Sequence, residues 1–78
     1  MKARFVDMNA TAERLLSHRL DKGWPVTTLA ALSGVQEAVV LRAEMGSFNI
    51  VNLGKIVRAL GTDVDAVLVW TEEREVLS

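Results

Sequence analysis

Two short apolar segments meet at one glycine in the stretch Val26 to Met45, VTTLAALSGVQEAVVLRAEM, and that junction constrains the fold more than any other feature. Ala30 sits four residues before Gly34, and Val40 sits six after it. If two helices cross steeply over a turn of three or four residues, the first must present a small side chain where the second passes. The turn needs a residue that accepts positive φ, which glycine does without strain. The second helix must then send an apolar side chain back beneath the first. The spacing therefore predicts a central helix-turn-helix, with helix 2 over about Val26 to Ser33 and helix 3 over about Gln36 to Met45.

The flanking segments read as further helices. Helix 1 is expected to start at Asn9 or Thr11, both good N-caps. It carries Ala12, Leu15, Leu16, Arg19 and Leu20 as an i, i+3, i+4 stripe and stops before Gly23. Pro25 suits the first turn of helix 2, where its missing N–H costs little. Helix 4 runs from an Asn49 cap to Leu60, with Ile50, Leu53, Ile56, Val57 and Leu60 on one face. Gly61 is placed as its C′ residue, and Asp63 caps a helix 5 that turns Val64, Val67 and Leu68 inward. Residues 1–8 form an N-terminal arm or strand, residues 9–70 the helical domain, and residues 71–78 an acidic C-terminal tail. At 78 residues, half of them hydrophobic, the chain suits one compact all-α domain of five helices.

Several function classes have no support in the residues. No cysteine is present, which excludes disulfides and thiolate metal sites. His18 is the one histidine and has no ligand partner in the sequence, so a half-buried core position on helix 1 is expected, with no metal and no cofactor. There is no phosphate-cradling glycine loop and no H-E-x-x-H pair, and Ser17 and His18, being neighbours on a helix, point to different sides. The expectation is that the chain is not an enzyme. The apolar run Val64 to Trp70 contains Asp65 and is too short to cross a bilayer, and the start MKARFVDM has no apolar secretory core. No membrane association and a cytoplasmic location are therefore expected.

In order and spacing, RLLSHRLDKGW, TLAALSGV, the Glu44-Met45-Gly46 helix end and IVRALGTDVDAVL resemble the lambda-repressor-like domains of the Cro and XRE group of bacterial and phage regulators. The resemblance spans about Ala12 to Val69. It implies a sequence-specific DNA-binding transcriptional regulator, of repressor type, acting as a homodimer on double-stranded DNA. Arg19 and Glu44 match a pair that forms an internal salt bridge in relatives. Thr27 and Thr28 match positions that bring a helix N-terminus to a phosphate. Gln36, Glu37, Ala38, Val39 and Arg42 match the outward face of the recognition helix, and Asn49 a backbone contact. Val69 and Trp70 fall where many relatives pair their subunits, and Trp is enriched at binding hot spots.

The residues depart from the family pattern on that face. Ala38 and Val39 are apolar, and Glu37 would repel phosphate unless it accepts from a cytosine amine. Only Gln36 and Arg42 are good readers of bases or phosphates. The formal net charge is −1, whereas nucleic-acid binders carry a basic excess. The charge is uneven, though. Residues 1–60 hold eight basic and five acidic side chains, while Asp63, Asp65, Glu72, Glu73 and Glu75 crowd the end. The alternative reading is a protein-interaction module, such as an antitoxin or accessory subunit, that meets a toxin or another regulator through the apolar Val39 and Leu41 surface.

Overall fold

The computed structural model describes residues 2–71 and 74–75. Five helices are present, and each boundary has a local cause. Helix α1 spans Met8–Lys22, because the Asp7 side chain accepts from the Ala10 N–H at 3.0 Å and caps it. The start is thus earlier than Asn9 or Thr11. Thr11 falls inside the first turn, fully buried, where its hydroxyl accepts the Val69 N–H at 3.0 Å. Helix α2 spans Val26–Ser33 and ends at Gly34. At φ 72°, Gly34 returns its N–H to the Ala30 carbonyl. Helix α3, Glu37–Ala43, is shorter at both ends than its sequence pattern implies. Gln36 sits at its N-cap without a capping side-chain bond, and residues 44–46 form a turn. Helix α4, Ile50–Ala59, is capped by Asn49, and the four-residue α5, Val64–Val67, by Asp63.

The core forms where these helices converge. Leu15, Leu29, Val40, Leu53, Ile56 and Val67 are fully buried there. Each such side chain contributes roughly 1.5–3 kcal/mol by leaving water. Helix α2 packs on α3 and α4, while α5 packs on α1 and α4. Ala30 and Val40, the two apolar members of the opening pattern, are both buried in this cluster. Leu20 departs from the expected helix 1 stripe and is exposed, because five residues past the buried Leu15 it lies roughly 140° round the helix from it. A Cβ on Gly54 would meet only Val64, at an ordinary 3.9 Å. Trp24 and Phe48 pack against the rim of the core. His18 is half-buried but lies along the outer side of α1, in an open groove with Ser17 and Asp21, outside the core.

The first and last described segments clasp each other. Strands β1, Lys2–Ala3, and β2, Arg74–Glu75, pair antiparallel, with Lys2 opposite Glu75. Val6 bridges Trp70, the Thr71 N–H donates to the Phe5 carbonyl at 2.7 Å, and the Asp7 N–H donates to the Val69 carbonyl at 2.7 Å. The five-helix body thus carries a short ribbon in addition to its helices. Of the acidic tail expected over 71–78, residues 72, 73 and 76–78 lie outside the described residues.

Candidate nucleic-acid interface

The sequence places one uncharged helix, α2, directly before α3. Pro25 occupies the N-cap of α2, and its carbonyl accepts from Thr28 and Leu29 at 3.1 and 3.3 Å. The first N–H groups of any α-helix have no acceptor within it. Those of α2 belong to Val26 and Thr27, so a small positive potential from the helix dipole meets the Thr27 side chain there. Thr27 is exposed and Thr28 half-buried.

Helix α3 presents a mixed face. Gln36, Glu37, Ala38, Leu41 and Arg42 are exposed, whereas Val40 and Ala43 turn into the core. Val39, expected on the outward face, is half-buried against the core instead. It lines a cleft of about 260 Å³ with Arg42, Ser47, Phe48, Asn49 and Asn52. This cleft joins the side of α3 to the start of α4. Asn49 is exposed, but its side-chain oxygen is already engaged by the Asn52 N–H at 2.8 Å. Only its amide NH₂ remains for an outside acceptor. The structure therefore brings Val39, Arg42 and Asn49 together and adds Asn52 to them. Thr27 and Thr28 stand on a different helix, α2, which packs directly on α3. Val69 and Trp70 belong to neither group, being held against the N-terminal arm and α1.

Arg42 is the one Lys or Arg between Pro25 and Gly46. The charge on this surface is therefore low, and Glu37 offsets part of it. Besides Ala38, two large apolar side chains lie on this surface. Leu41 is 49% exposed and Met45, in the turn after α3, is 79% exposed. Met45 was not singled out from sequence. Its exposure follows from the early end of α3, which leaves it beyond the last core-facing position, Ala43.

A largely but not fully buried ion pair sets the position of α3 against α1. The Arg19 guanidinium donates from Nε to one Glu44 oxygen at 2.6 Å and from an Nη to the other at 2.9 Å. Its second Nη donates to the Trp24 carbonyl at 2.9 Å. The two side chains retain only 14% and 8% of their exposure. The hydrogen bond to Glu44 raises the Arg19 pKa, burial opposes that rise, and the Glu44 charge adds to it. This pair is structural: it ties the end of the candidate reading helix to α1.

No family model matches this chain, and no curated protein matches it. Among solved structures, it is similar to a hypothetical transcription factor from Neisseria, NHTF, with a TM-score of 0.72 and 25% sequence identity. The likeness covers 80% of this chain and 74% of that one. The five-helix architecture is a transcription-factor-like fold. Among the described residues, no helix is long and apolar enough to cross a membrane.

Proposed function

We propose that this chain is a sequence-specific DNA-binding regulator of the Cro and XRE type that lays α3 in a major groove. One observation carries the reading: an exposed α3 face with Gln36 at its start and Arg42 beside the Asn49–Asn52 cleft, on a fold similar to that of a hypothetical transcription factor. Arg42 and Gln36 carry most of the base contact, with Ala38 against thymine methyls. Glu37 serves as a favourable charge at the helix N-terminus or accepts from a cytosine amine. Val39 shapes the side of the cleft. Thr27, Thr28 and Asn49 hold phosphates and set the register. Two copies joined through Val69 and Trp70 would place their reading helices about 34–36 Å apart, in successive grooves. Occlusion of a promoter in the cytoplasm of a bacterium, including one infected by a phage, is the simplest consequence, and makes the chain a repressor.

Selection of bound duplexes from a random pool tests DNA binding, half-site spacing and two-fold symmetry together. With one cation on α2–α3, the salt dependence of binding should be shallow. Replacing Arg42 by Ala should cost about 1–3 kcal/mol on the selected site and far less on unrelated duplexes. Equal losses on every duplex would make Arg42 a phosphate contact, and no binding even near 50 mM salt would remove the reading altogether. The exposed Leu41 and Met45 favour a second reading, in which the same face meets a protein such as a toxin or another regulator.

A further inference from the structure

The outward side chains of α3 form a pattern that is complementary to itself. Ala38 and Leu41 lie one turn apart on the outer face of α3, and Met45 follows at i+7 in the turn after it; Leu41 is half exposed and Met45 is the most exposed large apolar residue described. Within α3 this is the a-to-d step of a coiled-coil seam, with Ala38 at a and Leu41 at d, and Met45 extends the apolar stripe just past the helix end. Glu37 precedes the a residue and Arg42 follows the d residue. They therefore occupy the g and e positions, on opposite flanks of the stripe. In a parallel two-fold pair, a g residue meets the e residue five positions later on the other helix. Glu37 of one copy then meets Arg42 of the other, and symmetry repeats the contact. Antiparallel packing centred on the stripe would set Arg42 against Arg42 and leave Glu37 at the far end of the seam, so it adds like-charge repulsion and loses both opposite-charge contacts. The charge pattern thus selects both the occupant and its orientation.

We infer that two copies of this chain associate through parallel α3 helices, and that this pair withholds α3 from DNA. The second clause rests on the DNA reading above. Arg42 is the shared residue: once it faces Glu37 of the second copy, it is not available to a base or a phosphate. The seam is only about two turns long and buries much less than the roughly 800 Å² per partner of a standard interface. Association is therefore weak and depends on concentration. Such a contact acts as a brake at high chain concentration and yields to a specific duplex.

Sedimentation equilibrium of the full chain and two charge variants, Glu37→Arg and Arg42→Glu, tests the pairing. Each variant alone brings like charges together twice, and should weaken self-association at least about tenfold. Mixed one to one, they restore both opposite-charge contacts, and a heterodimer should form as readily as the parent pair. No association through Val69 and Trp70 would show this rescue. Far-UV circular dichroism checks that both variants fold. If either does not, Leu41→Asp, at the centre of the stripe, should abolish the association instead. Single variants that associate like the parent, or a mixture that stays monomeric, would overturn the inference, as would a parent chain monomeric at about 1 mM. Duplex binding is measured separately by gel shift. Its absence alongside intact charge rescue would remove the DNA reading and the brake while leaving the pairing in place.

Discussion

Removing Arg19 is the sharpest test of how the body holds α3. In Arg19→Ala, the Glu44 carboxylate, only 8% exposed in the parent, loses its cation, and the Trp24 carbonyl loses its donor. Stripping one partner from a buried pair costs about 3–5 kcal/mol. Arg19 keeps 14% exposure, so water reaches the gap and the lower end, about 3 kcal/mol, is the appropriate figure. The unpaired carbonyl adds about 1 kcal/mol. Glu44→Ala should cost less, about 2–3 kcal/mol, since Arg19 retains its bond to Trp24 and turns towards solvent. The double variant Arg19→Ala, Glu44→Ala should lose about 2 kcal/mol less than the sum of the singles. Urea denaturation followed by circular dichroism gives these values, and each kcal/mol lowers the melting temperature by roughly 4–8 °C in a domain of this size. Strictly additive losses, each below about 1 kcal/mol, would show that the pair behaves like a solvated surface contact and that its burial has no energetic weight.

Further outcomes follow from the same geometry. Because the Arg19 pKa is raised, the pair's contribution is complete below the ordinary guanidinium value and is lost only as pH climbs through the raised one. The stability difference between the parent and Arg19→Ala should therefore stay flat from about pH 7 to about pH 10, measured by urea titration at each pH. Gly54→Ala should stabilise by up to about 1 kcal/mol in thermal melts, since the new methyl meets only Val64 at 3.9 Å. Gly46→Ala should destabilise by about 1–2 kcal/mol in the same assay, because Gly46 holds φ at 94°. The Asn9 oxygen 2.8 Å from the added Cβ belongs to a side chain that can swing aside, so backbone strain dominates that cost. Thr11→Val keeps the shape but leaves the Val69 N–H without its acceptor, for a loss of about 1–3 kcal/mol by chemical denaturation.

The parts of the fold legible in sequence are those governed by periodicity and punctuation. Gly23, Gly34 and Gly61 take the positive φ their positions imply, and Asn49 and Asp63 cap the helices that begin after them. The Arg19–Glu44 bond was visible only through family resemblance, because its partners lie 25 residues apart and no local spacing joins them. Long-range pairing was invisible for the same reason: nothing near Thr11 announces that its hydroxyl meets Val69. At the candidate site, the exposed faces of Gln36, Glu37, Ala38 and Arg42 followed from helical spacing. Val39 did not, because a residue at the edge of an amphipathic face is decided by how closely the neighbouring loop, here Phe48, packs beside it. Met45 escaped because helix ends are set by turn geometry, which apolar periodicity does not encode.

The clasp between the two outer segments also governs the order in which the molecule comes together. The hydrogen bonds joining Phe5 to Thr71 span 66 residues, whereas α2, α3 and α4 follow one another closely and pack on one another. Contacts close in sequence close small loops and form early, while a join across nearly the whole chain pays the largest loop-closure entropy. The helical body therefore assembles before the clasp shuts. In the native molecule the clasp is the first part to open, because it rests on a few exposed backbone bonds. The amide of Thr71 should accordingly exchange its hydrogen far sooner than that of Leu53, deep in the body. A protease or a competing strand would find its entry there, with the helix-turn-helix still folded behind it.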